Sequence, residues 1–140
     1  MNSRFTGILF LIIISISFKA EAQQTDKKYP IIPYPTSLIA GNGSFVVTRT
    51  TTIVNPSSIL FRNEAEILNH YFINSFGKPL RLTKTPGAHS IIMNYDATIT
   101  ALEGYKLVIT PQQVTISAKT PAGMFMGIQT IRQLLPVSVE

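Results

Sequence analysis

Catalysis by side chains needs an acid, a base or a nucleophile, usually two of them, converging on one point. Beyond residue 22 the carboxylates of this chain are Asp26, Asp96, Glu64, Glu66, Glu103 and Glu140. Glu64 and Glu66 fall in the first turn of a helical pattern. A carboxylate there favours the positive end of the helix dipole, so capping explains both without chemistry. Asp26 lies in a polar leader and Glu140 is the last residue. Asp96 and Glu103 flank a strand region and are the one candidate acid/base pair, but nothing else converges on them. His70 and His89 lie far apart in sequence with no acid at ligand spacing. A zinc site needs three or four close ligands, so both read as ordinary surface or half-buried histidines.

Other chemistries are thinner still. The chain has no cysteine, which excludes disulfides, thiolate metal sites and a Cys nucleophile. Serines are plentiful, yet no Gly-x-Ser-x-Gly elbow and no glycine-rich phosphate loop occurs. Gly41-Asn42-Gly43 is a turn signal, and Asn42-Gly43-Ser44 fits a glycosylation sequon. Sugar rings stack on aromatic side chains, but there is no tryptophan. Tyr71, Phe72 and Phe76 fall on a core-facing stripe, which leaves Tyr29 and Tyr34 as the plausible exposed pair. The residues therefore assign no catalytic, cofactor-binding or metal-binding role to any position.

The elements that would have to position a site are easier to find. Ser44 to Thr48 and Thr51 to Val54 are β-branched and predict two short strands, the second stopped by Asn55-Pro56. Asn63 to Phe76 predicts a helix. Asn63 would cap it with Glu66 three residues on, and Gly77 followed by Pro79 would end it. Leu68, Phe72 and Phe76, flanked by Ala65 and Tyr71, form its apolar stripe. Arg81 to Lys84 and Ser90 to Tyr95 predict strands on either side of a Pro86-Gly87 turn. Tyr105 to Thr110 and Val114 to Ala118 alternate and predict an antiparallel hairpin. A second helix follows, with Thr120 as N-cap and Pro121 at its first position. Its stripe is Met124, Ile128, Ile131 and Leu135, widened by Phe125 and Leu134, and Pro136 ends it. The sum is an α+β domain: an antiparallel or mixed sheet with two helices packed on one face.

The N-terminus reads differently. Arg4 precedes an uncharged apolar run from Gly7 to Phe18, and Ala20-Glu21-Ala22 offers small residues for cleavage. That is a signal-peptide pattern, and the run is short of the roughly 20 residues a spanning helix needs. The expected division is 1–22 signal peptide, 23–29 leader, 30–136 folded domain and 137–140 the start of a linker. Tyr29 to Thr36 holds three prolines and should run extended at a surface or edge. After cleavage ten scattered cations face six acids, a formal charge of +4 with no basic run, which argues against nucleic-acid binding. The product is expected to be exported, periplasmic or secreted, and free of the membrane once cleaved.

Two segments resemble a known family. Ile31-Ile32-Pro33-Tyr34-Pro35 is similar to the opening of the N-terminal domain of glycoside hydrolase family 20. Glu103 to Leu107, followed by Ile116-Ser117-Ala118-Lys119-Thr120-Pro121-Ala122-Gly123 through Leu135-Pro136, resembles that domain's ending. The likeness extends over roughly Pro30 to Pro136. It implies a non-catalytic front domain of a β-N-acetylhexosaminidase, an enzyme releasing terminal N-acetylhexosamine from glycans. The implied chemistry is substrate-assisted, with an Asp orienting the acetamido group and the adjacent Glu as general acid/base. Both lie on a following (β/α)₈ barrel of about 250 residues. This chain has no Asp-Glu dipeptide, so no catalytic residue carries over and the chain alone is expected to be inactive. The implied partner is that C-terminal barrel, with glycan reached only through it. Two other readings fit the residues: a stand-alone carbohydrate-binding or protein-interaction module, and the front domain of a different glycosidase family.

Overall fold

Three consecutive β-branched residues make the first strand, β1 (Thr52–Val54), and all three are buried. It belongs to a computed structural model that describes residues 29–136. The 1–22 and 137–140 expectations lie outside the described residues, as does most of the 23–29 leader. After β1 come α1 (Arg62–Phe76), β2 (Arg81–Thr83), β3 (Ser90–Tyr95), β4 (Tyr105–Ile109), β5 (Gln113–Ala118) and α2 (Pro121–Leu134). The five strands form one sheet in the order β2-β1-β3-β5-β4. The expected mixed sheet with two helices is present.

The balance of pairing leans further toward parallel than the sequence suggested. β1 pairs in parallel with both β2 and β3, and β3 pairs in parallel with β5; only β4 and β5 are antiparallel. The cause is the strand–helix–strand order. A helix between β1 and β2 carries the chain back to the starting end of the sheet, so the neighbours must run the same way. Only the short Thr110–Gln112 link is tight enough for a hairpin. Ser44 to Thr48 takes no strand pairing. Its alternation serves burial instead, with Phe45 and Val47 resting on the core while Val46 faces out.

Strand register puts Ile53, Ile91 and Val114 in one row, with Met93 beside Ile116. These side chains face the helices. Ala65, Leu68 and Phe72 from α1 meet Met124, Ile128 and Ile131 from α2 over them. The other face is more polar: Thr52 and Ser90 share a buried hydroxyl contact of 3.0 Å, and Asn94 donates to Ser117 at 3.3 Å.

Small residues allow the close approach of α2. A Cβ on Gly123 would collide with the backbone carbonyl of Gly104, and one on Gly127 would lie 2.5 Å from Cγ2 of Ile116. The ends of α2 follow expectation: Thr120 accepts from the Gly123 N–H at 3.1 Å, with Pro121 in the first turn. The C-terminus of α1 does too, with Gly77 in the left-handed region at φ 72°. Its N-terminus does not. Phe61 holds the N-cap position with no side-chain hydrogen bond, and Asn63 lies inside the helix. Phe61 is fully buried, so packing of its ring decides where the helix begins. Glu66 pairs with Arg62 at 3.6 Å rather than closing a capping box.

Candidate functional site

Several of the residues with possible chemistry hold ordinary structural roles. Asp96 follows β3 and its carboxylate accepts from the Thr98 hydroxyl at 2.6 Å and the Thr98 N–H at 2.9 Å. Those two bonds, aided by Lys106, hold its carboxyl below the usual carboxylate range against slight desolvation. A carboxyl kept ionised this way is a poor proton donor. Glu103 is exposed in the loop before β4. Glu64 is in the first turn of α1, and Glu66 forms an exposed ion pair with Arg62.

His70 is exposed on α1, and His89 is exposed in the turn before β3 at φ 54°, its ring centroid 6.2 Å from that of Phe45. No group of three or more metal-ligating residues occurs among the described residues. Among the aromatic candidates, Phe72 is buried and stacks with Phe76 at 6.3 Å. Tyr71 accepts from Gln129 Nε2 at 2.9 Å, with the Arg132 guanidinium 5.7 Å above its ring. Tyr29 is half-buried and Tyr34 is 42% exposed.

Sequence reasoning missed an open cleft of about 570 Å³ at the carboxyl ends of β1 and β2, lined by Asn55, Ser58, Ile59, Arg62, Glu66, Leu82, Thr83 and Lys84. Asn55, read only as a strand stop, is 3% exposed, and its Oδ1 has no hydrogen-bond partner among the described residues. Ile59 stands almost wholly open at the mouth. Thr83 accepts from the Asn55 N–H at 2.9 Å, so its peptide groups turn toward β1. By the alternation of a parallel ladder, Leu82 turns its N–H and C=O to the open edge of the sheet. Nothing in the sequence brings 55, 58 and 82–84 together; that requires knowing that β1 and β2 are parallel neighbours.

Two other carboxamides, also unremarked in the sequence, are fully engaged. Asn69 donates to the Leu80 C=O at 2.9 Å and accepts from its N–H at 2.7 Å. Gln133 accepts from the Ile32 N–H at 2.7 Å and donates to its C=O at 3.0 Å.

Comparison with known proteins gives a consistent result. The family model described as glycosyl hydrolase family 20, domain 2, matches residues 28–140. A beta-hexosaminidase of Porphyromonas gingivalis is 32% identical over 136 residues, covering 93% of this chain and 17% of the relative. Among solved structures, N-acetyl-beta-hexosaminidase of Streptomyces plicatus aligns with a TM-score of 0.72 and 35% identity, over 79% of this chain and 22% of that one. The GH20 beta-N-acetylhexosaminidase of Streptomyces coelicolor aligns with a TM-score of 0.65 and 30% identity, over 76% of this chain and 21% of that one. This chain thus spans about a fifth of the length of the relatives it matches.

Proposed function

Because this chain belongs to the glycosyl hydrolase family 20 domain 2 family, we propose that it is the non-catalytic N-terminal scaffold of a β-N-acetylhexosaminidase. The observation that carries the reading is the family match over 28–140, joined to relatives roughly five times longer that bear that activity in their names. In the proposed whole enzyme, hydrolysis of terminal N-acetylhexosamine takes place on a following (β/α)₈ barrel. This domain supplies stability and folding support, and glycan meets the barrel rather than the scaffold. Ile32, Ile39 and Val46 stand open at 80%, 93% and 61% on the segment before β1. We take these three exposed side chains as candidates for contact with the following domain. We also place the protein outside the cytoplasm, on the signal-peptide pattern at 1–22.

A domain exchange tests the scaffold role. Residues 30–136 would replace the matching domain of the Streptomyces plicatus enzyme. The expected result is a soluble chimera that still hydrolyses p-nitrophenyl N-acetyl-β-glucosaminide, while the purified chain alone shows no turnover and no heat with chitobiose. Turnover by the chain alone, or heat on titration with chitobiose, would overturn the reading. Mass spectrometry of the exported product should give an N-terminus at Gln23.

A further inference from the structure

We propose that Asn42-Gly43 is a self-modifying site: the Asn42 carboxamide closes on the Gly43 backbone nitrogen and reopens as aspartate or isoaspartate, which shifts the turn that leans on the β4–β5 link. The inference goes beyond the scaffold reading and does not depend on it.

The reaction needs only the chain and water. Hydroxide removes the Gly43 amide proton, and the nitrogen attacks Cγ of Asn42. The new N–Cγ bond closes a succinimide ring. The Cγ–Nδ2 bond breaks, and ammonia leaves with a proton from water, which restores the hydroxide. A second water then adds to one ring carbonyl, and the N–C bond at that carbon opens. Opening at Cγ leaves aspartate. Opening at the main-chain carbonyl carbon leaves isoaspartate, with the backbone now routed through Cβ and Cγ.

The chemistry asks for a free carboxamide, a free N–H on the next residue and a backbone that can bring them together. Asn42 is exposed in a bend outside every helix and strand, and its carboxamide makes no hydrogen bond among the described residues. The Gly43 N–H has no acceptor there either. Gly43 carries no Cβ to obstruct the attack, and its φ of 85° is open to glycine without strain. Every other described asparagine fails a requirement. Asn55 is buried and precedes Pro56, whose nitrogen has no hydrogen to lose. Asn63, Asn69 and Asn74 lie within α1, where the helical ladder fixes the backbone, and Asn69 also holds Leu80 with both ends of its carboxamide. Asn94 is in β3, donates to Ser117 and is followed by the bulky Tyr95.

The turn is tied to the rest of the fold. A Cβ on Gly43 would stand 3.0 Å from Cγ of Pro111, so the turn lies against the link between β4 and β5. Phe45 and Val47, just beyond it, rest on the core. Isoaspartate inserts an extra backbone carbon beside these anchored residues, and either product adds a negative charge.

The test is incubation of the purified chain in mildly alkaline, amine-free buffer, followed by peptide mapping. The blocked peptide Ac-Ala-Gly-Asn-Gly-Ser-Phe-NH₂ serves as the unfolded standard. Conversion at Asn42 should proceed within about tenfold of the peptide's rate, because a freely exposed site needs no opening of the fold. The rate should rise with hydroxide, and labelling by an isoaspartyl methyltransferase should rise in step. Asn42→Gln, which would have to close a larger ring, should show no conversion while keeping the wild-type amide spectrum. In the ¹⁵N spectrum of the isolated isoaspartyl fraction, the Gln112 and Gln113 amides beside Pro111 should move while those of α1 stay in place. Conversion slower than that tenfold window, equal conversion at Asn63, Asn74 or Asn94, conversion that persists in Asn42→Gln, or unmoved Gln112 and Gln113 amides would each sink the proposal.

Discussion

Gly123 shows how one hydrogen atom can set the spacing of a layer. In a solvent-facing helix, glycine to alanine stabilises by about 1 kcal/mol. At Gly123 the added methyl would run into the carbonyl of Gly104, which is backbone and cannot rotate away. Gly123→Ala should therefore destabilise, by about 2 kcal/mol after the helix gain is offset. Gly127→Ala meets the Ile116 methyl instead, which can yield slightly, and should cost about half as much. Urea denaturation of both variants checks the order. Asp96 gives a pH prediction. Its folded-state pKa is depressed by Thr98, so its contribution is present above the unfolded pKa and lost as pH falls through the folded value. The stability difference between wild type and Asp96→Asn should be largest near neutrality and should shrink in acid, as pH falls from the unfolded pKa through the depressed folded value. A gap that widened in acid would contradict the assignment.

At the scale of elements, the two helix starts make a matched comparison. Thr120 performs the capping its position promised, whereas Asn63 does not, because the ring of Phe61 must reach the core and pulls the helix start two residues earlier. Thr120→Ala should cost about 1 kcal/mol, and Asn63→Ala should change stability by less than about 0.5 kcal/mol. Equal losses would mean that Asn63 caps in solution. The main apolar stripes of both helices, the Gly77 stop and the β4–β5 hairpin were legible because each depends on local periodicity or turn chemistry, whereas Phe125, expected to widen the α2 stripe, is 39% exposed. Ser44 to Thr48 misled because β-branched alternation marks a half-buried surface, not a hydrogen-bonded ladder. Asn69 and Gln133 were invisible for a related reason: a polar residue on a helix gives no sign of the distant peptide group it will hold.

For the whole molecule, the family was readable from the run between Glu103 and Pro136, whose glycines fall where α2 presses on the sheet. The direction of the strands was less so, since pairing depends on which neighbour a crossover returns to. The cleft at Asn55 escaped notice for the same reason, being assembled by register alone. The segment before β1 offers a test at this scale. Gln133→Ala removes both hydrogen bonds to the Ile32 peptide group while leaving the sheet intact, and should open residues 29–48 to protease with a loss of about 1–2 kcal/mol. Limited proteolysis followed by mass mapping would locate the cuts; protection equal to wild type would show that the packing of Ile31, Phe45 and Val47 holds the segment without the clasp.

The clasp between Ile32 and Gln133 joins positions 101 apart in the chain. It therefore dictates a timetable. A polypeptide made from its amino end cannot close this clasp until α2 has emerged from the ribosome. During that interval the segment around Ile32 lacks this hold, and the final turn of α2 acts as the latch that completes it.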